Sequence, residues 1–230
     1  MISLIVALNS EIKTFFKQIK KKVYQINNID FYLCTHQNIE FVLVFTDVGK
    51  TNASFITALL INNFKPKVIL NVGSCGALND QLKVLDIAII DQCQYLDVNV
   101  SAFGYLKNQI PRLDKFFILD KNYNQQIKNQ LIKKKLKCWI ANVGSSDTFI
   151  NHDNISFFYD QQIDLVDMEL AAIAHVCTRM LTPLVSIKLV SDHITLPNSN
   201  QEQFNKNLSL IDKWFNEHLT SIIEAILEIY

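Results

Sequence analysis

Arginine is almost missing from this sequence: of 22 basic residues, only Arg112 and Arg179 are not lysine. Acidic residues also number 22, so the formal net charge is zero. A protein that grips nucleic acid through its phosphates needs a basic excess that releases counterions, and none exists here. The five glycines and four prolines stand singly between periodic segments. There is no linker, repeat or low-complexity tract, which predicts a single domain over residues 1–230. The five cysteines (Cys34, Cys75, Cys93, Cys138, Cys177) are odd in number, with no CxxC pair and no clustered histidine. That excludes a disulfide framework and a zinc site, and reduced thiols in a cytoplasmic protein are the plain reading. No apolar stretch approaches the ~20 residues of a membrane span. The apolar run Ile2–Leu8 lacks a basic leader and a cleavage site, so no signal peptide is expected.

What is present is material for an interior, because 49% of residues are hydrophobic. Apolar, β-rich runs predict strands at Ile2–Leu8, Phe31–Cys34, Phe41–Phe45, Val68–Val72, Ile87–Ile90, Cys138–Val143 and Leu184–Val190. Helical periodicity falls between them at Glu11–Ile19, Thr51–Phe64, Tyr123–Leu136, Met168–Met180 and Gln203–Ile229. Alternation of this kind predicts an α/β fold with helices on both sides of a central sheet. Lys133, Lys134, Lys135 and Lys137 close one helix, where cations favour the dipole, and read as a solvated turn.

Polar groups gather where predicted strands stop, the usual ligand-binding edge of such sheets. Asp192 follows the run Leu184–Val190. A carboxylate there is either satisfied by donors of the following turn or desolvated and kept for acid chemistry. Glu169, after Asp167 and Met168, opens one predicted helix, and Glu11, after Asn9, opens another. Helix capping accounts for both, and so does a chemical role. Gly73-Ser74-Cys75-Gly76 reads as a tight strand-to-helix turn able to hold an anion or a water. His193 reads as a turn histidine, and His36, His152, His175 and His218 as structural.

Taken in order, these segments resemble the nucleoside phosphorylase superfamily and, within it, the nucleosidases acting on 5′-methylthioadenosine and S-adenosylhomocysteine. The resemblance runs from Ile2 to about Glu217. It is carried by Ser101-Ala102-Phe103-Gly104-Tyr105, Ser146-Asp147-Thr148-Phe149-Ile150-Asn151, Asp167-Met168-Glu169 with Ala174-His175-Val176-Cys177, and Val190-Ser191-Asp192. It implies a three-layer α/β/α fold around a mixed, twisted sheet and no cofactor or metal. Asp192 would protonate N7 of adenine, with Ser191 orienting it. Phe149 would stack on the base, and the backbone of Ile150 would read its edge. Glu169 would accept the ribose hydroxyls, with Met168 against the sugar, while Glu11 and Ser74 would hold the attacking water. Val48 would line the 5′-alkylthio pocket. Phe103 and Pro111 would close a partner's pocket, which implies a homodimer.

Some positions depart from that pattern. Asp167 and Lys188 stand where the family has glutamate and arginine, a change that reads as a matched pair. Leu8 and Leu85 replace methionine and glycine. The implied reaction is hydrolysis of the N-glycosidic bond of a small-molecule nucleoside in methionine salvage. The rivals are a phosphate-dependent purine nucleoside phosphorylase, disfavoured by Asn71 where an arginine is usual, and a non-catalytic nucleoside-binding protein.

Overall fold

The computed structural model describes residues 1–158, 160, 162–195 and 200–230. In chain order the elements are β1 (Ile2–Val6), α1 (Lys13–Gln18), β2 (Lys20–Ile26), β3 (Ile29–His36), β4 (Ile39–Phe45), α2 (Lys50–Phe64), β5 (Val68–Ala77) and β6 (Ile87–Tyr95). They continue with β7 (Phe117–Ile118), α3 (Lys121–Lys133), β8 (Cys138–Ser145), α4 (Ile155–Phe158), β9 (Leu165–Asp167), α5 (Leu170–Arg179), β10 (Leu184–His193) and α6 (Asn200–Leu227).

The central strands are buried on both faces, and the alternation of side chains along them divides the core in two. On one face Ile5, Val42, Val44 and Ile69 pack against Ala53, Ile56 and Leu60 of α2 and Leu170–Ala174 of α5. On the other, Leu4, Val6, Phe41, Leu43 and Leu70 meet Phe15 of α1, Ile127 and Leu131 of α3, and Ile211, Phe215 and Leu219 of α6. The result is three layers, α/β/α, around a mixed sheet. β1 is parallel to β4 and β5, β10 is parallel to β5 and antiparallel to β6, and β9 is antiparallel to β5. Because β10 joins both β5 and β6, while β6–β8–β9 leads back to β5, five strands close into a ring at one end of the sheet. The ring brings the ends of β5, β9 and β10 together.

The seven predicted strands are present, and β5, β6, β8 and β10 run further than the apolar runs indicate. The predicted turn at Gly73–Gly76 is instead the continuation of β5, and His193 lies in β10 and not in a turn. Glu11 sits in a short 3-10 turn, Asn9–Glu11, that precedes α1, and Asn9 is not its cap. β2, β7 and β9 were not expected. β2 begins with three lysines and is exposed almost throughout, as befits an edge strand. Its hairpin to β3, and that from β3 to β4, turn on Asn27-Asn28 and Gln37-Asn38, all at positive φ as tight two-residue hairpins demand. Leu85, where glycine is usual, sits at φ 70°, a left-handed conformation that glycine adopts without strain. The lysine run does end α3, and Lys134 pairs with Glu224 of α6 at 2.7 Å.

Candidate active site

The closed end of the sheet surrounds a cavity of about 210 Å³. β5 contributes Asn71 to Gly76, β10 contributes Lys188, Ser191 and Asp192, and β9 with its following turn supplies Asp167, Met168 and Glu169. Glu11, Val48, Phe149 and Ile150 complete a wall in which four carboxylates share space with one ammonium group.

Glu11 is fixed by three donors. The Ser74 N–H and hydroxyl donate to Oε1 at 2.7 and 2.6 Å, and the Leu8 N–H donates to Oε2 at 3.2 Å. The glycine at 73 is what admits this contact, because a Cβ there would stand 3.2 Å from Oε1. Capping of its own turn therefore explains only part of Glu11's placement; the rest is an approach to β5 from a distant segment.

Asp192 sits at a bulge in the β10–β5 register, which falls between Val190 and Asp192. Such irregularities re-aim side chains. Its Oδ1 is 2.5 Å from the Ser191 hydroxyl, and its Oδ2 accepts from the Asn200 amide at 3.2 Å. Burial raises its pKa, and the hydrogen bonds from Ser191 and Asn200 offset only part of that.

Glu169 occupies the capping position of α5 but makes no capping hydrogen bond with its side chain. Asp167 caps instead, its Oδ2 accepting the Leu170 N–H at 3.0 Å. Glu169 turns to Gly49, whose N–H donates to Oε1 at 3.0 Å and whose φ of +104° requires glycine. Burial first, and then the Asp167 charge, push its pKa up to about 8. Behind it, Lys188 Nζ meets Asp167 Oδ2 at 2.7 Å, with side chains only 2% and 1% exposed. Burial opposes the lysine charge, but Asp167 and Glu169 outweigh it and hold the pKa above its ordinary value. Ser145 completes the arrangement, donating to Asp167 Oδ1 and accepting the Ala171 N–H.

Residues 2–228 match the family model described as the phosphorylase superfamily. The chain belongs to that superfamily. Among its relatives, a 5′-methylthioadenosine/S-adenosylhomocysteine nucleosidase of Buchnera aphidicola subsp. Schizaphis graminum is 35% identical over 213 residues, covering 91% of this chain and 90% of the relative. The protein of the same name from Buchnera aphidicola subsp. Acyrthosiphon pisum is 31% identical over 99% of both chains. The solved structure of such a nucleosidase from Neisseria meningitidis, in complex with methylthio-immucillin-A, superposes with a TM-score of 0.87 at 26% identity. It covers 100% of this chain and 99% of that one.

In this phosphorylase-superfamily chain, nine of the eleven expected site residues line one cavity: Glu11, Val48, Ser74, Phe149, Ile150, Met168, Glu169, Ser191 and Asp192. Phe103 and Pro111 do not. Both are exposed, Phe103 at 81%, on the segment between β6 and β7. That segment leaves the sheet at the rim of the cavity, where Asp97 pairs with Lys50 at 2.5 Å and accepts the Asp147 N–H at 3.0 Å. Asn200 and Phe204, at the start of α6, also line the cavity. Neither was assigned a role from sequence, because the segment after Asp192 carries little of the resemblance; an asparagine opening a helix signals only a cap. All five cysteines are buried and unpaired. No helix among the described residues is long and apolar enough to cross a membrane.

Proposed function

We propose that this chain hydrolyses the N-glycosidic bond of 5′-methylthioadenosine and S-adenosylhomocysteine, releasing adenine and the 5′-thioribose. One observation carries the choice of water over phosphate as nucleophile. The cavity is lined by Glu11, Asp167, Glu169 and Asp192, and its one cation among the described residues, Lys188, is already committed to Asp167 at 2.7 Å. A phosphate dianion there lacks a free cation or an arginine fork. Asn71 does not substitute: its amide donates to the Ile5 carbonyl and accepts from Ser186 within the sheet. Arg112 and Arg179 lie outside the cavity wall.

The roles follow from the partners. The Ser191 hydroxyl has one hydrogen and two acceptors in reach, the Cys75 carbonyl at 3.0 Å and Asp192 Oδ1 at 2.5 Å. The hydroxyl orients the Asp192 carboxyl, and burial raises the carboxyl's pKa, which favours its protonated form. Asp192 thus holds the proton that adenine N7 needs as the C–N bond breaks. Glu169 hydrogen-bonds the ribose hydroxyls from the cavity wall. Glu11 accepts a proton from water as its oxygen bonds to the anomeric carbon, and proton return to Asp192 through solvent closes the cycle. Glu11 approaches β5 at Gly73–Ser74 and Asp192 approaches it at Gly76. The two glycines are three positions apart on β5, a rise of roughly 10 Å, so base and acid sit at separate points along one strand.

The chain works as one nucleoside phosphorylase-like domain, as a cytoplasmic homodimer, within methionine salvage. The partner's Phe103 and Pro111 segment completes the 5′ end of each site, and neither nucleic acid, membrane, metal nor organic cofactor takes part. The test is product analysis with 5′-methylthioadenosine, with and without phosphate. Free adenine and methylthioribose in both conditions support the reading; a sugar 1-phosphate formed only with phosphate overturns it in favour of a phosphorylase.

A further inference from the structure

The reaction as derived makes no use of Asn200, the first residue of α6. Its side chain is buried at the cavity wall. Its Nδ2 lies 2.9 Å from the Ile150 carbonyl oxygen and 3.2 Å from Asp192 Oδ2. A backbone carbonyl can only accept, so the end of the amide that faces it is the NH₂ and not the oxygen. That NH₂ has two hydrogens, and each finds an acceptor.

The purine of the proposed reaction carries the same group. Adenine's 6-amino nitrogen lies on the same edge of the base as N7. When Asp192 protonates N7, the amino group comes to rest beside the acid, and the acceptors there are the Asp192 carboxyl and the Ile150 carbonyl. These are the two oxygens that Asn200 spans. One pair of acceptors cannot serve two NH₂ groups at full strength. We infer that the Asn200 carboxamide is a built-in competitor for the purine 6-amino group, occupying its pair of acceptors until the base displaces it. The inference rests on the nucleosidase reading and adds to it a residue that sets the affinity for 6-aminopurines.

Removing the competitor strengthens adenine binding. The gain is about tenfold, the worth of one net hydrogen bond. A 6-oxopurine does not share it, because it presents an acceptor to two acceptors. The experiment is calorimetric titration of the full-length protein with adenine and with hypoxanthine, in wild type, Asn200→Ala and Asn200→Ser. Serine keeps a residue suited to a helix start but cannot span both oxygens, so it decides the matter if the alanine variant does not fold. The expected result is an adenine Kd about tenfold lower in the variants and a hypoxanthine Kd that stays put. An adenine Kd that is unchanged or higher in Asn200→Ser overturns the inference, for Asn200 then holds the acceptors in place for the base. If wild type turns over 5′-methylthioadenosine and only the tightening is missing, the nucleosidase reading survives alone. If wild type neither binds adenine nor turns over the nucleoside, both fall.

Discussion

At the scale of single residues the cavity poses a charge problem. Four carboxylates and one lysine cannot all be ionised in a space this buried without large cost, and the cost falls on Glu169 and Asp192, both raised in pKa. An acid whose native pKa exceeds its unfolded value binds more protons folded than unfolded between the two. Stability therefore declines as pH rises from 4.5 towards about 8, the interval over which Glu169 loses its proton unfolded but keeps it folded. Glu169→Gln removes that slope. Thermal melts at pH 5 and pH 9 are expected to fall further apart for wild type than for the variant, by several degrees; parallel curves contradict a raised Glu169. Catalysis makes a separate demand. Asp192→Asn cannot release a proton, and Glu11→Gln cannot take one. Each is expected to lower kcat about 10²- to 10⁴-fold with melting preserved, measured by adenine release. Near-normal turnover in either removes that residue from the mechanism.

At the scale of elements, the site is built where β5, β9 and β10 converge, and their glycines and ion pairs set the tolerances. A Cβ at Gly76 would lie 2.9 Å from Ile194 Cδ1 and 3.1 Å from Asp192 Oδ2. The isoleucine tip can yield, but the acid then moves by tenths of an ångström. Gly76→Ala is accordingly expected to fold and to lose about tenfold or more in kcat, since small misplacements at a reacting centre are costly; full activity shows that Asp192 has slack. Asp167 and Lys188 tie β9 to β10 by a buried pair. Lengthening one partner alone strains a fitted contact, so Asp167→Glu is expected to give no gain in kcat/KM, and a clear gain disproves the matched pair. These same elements show what the sequence reveals and what it hides. Val68–Val72 and Leu184–Val190 announce themselves because parallel strands buried on both faces read as continuous apolar runs. The rest of β5 does not, because Gly73 and Gly76 are there for the approach of Glu11 and Asp192 and look like turn residues. β2 is hidden because its lysines suit an exposed edge, and β9 because three residues carry no period. The residues that approach one another across the cavity are legible only through the family resemblance. Asn200 lies in the segment after Asp192 that carries little of that resemblance, and its part in the site emerges only from the atoms it touches.

At the scale of the whole molecule, the segment between β6 and β7 carries the proposed contact between chains. It presents Phe103 at 81% and Leu106 at 64% exposure, and it is held to the body by Asp97 on Lys50 of α2 and by Lys107 on the Phe157 carbonyl of α4. In the proposed homodimer it reaches the partner's site, so each site is built from two chains and the symmetry makes the contribution reciprocal. That arrangement can be tested by complementation. Phe103→Asp leaves Asp192 and Glu11 intact but spoils the partner's pocket. Asp192→Asn leaves Phe103 intact but has no acid of its own. Each homodimer alone is expected to be weakly active. When the two variants are unfolded together and refolded, random assortment makes half of the dimers mixed. In each mixed dimer, the pocket of the Phe103→Asp chain has its own Asp192 and receives a native Phe103. Recovery of roughly a quarter of wild-type turnover per chain is then expected, one good site in every two mixed-dimer sites. The recovered sites need two chains, so activity should also fall on dilution through the dimer's dissociation range. If the mixture performs no better than the sum of its parts, while sedimentation shows dimers, Phe103 does not cross to the neighbouring site and the exposed segment has another purpose.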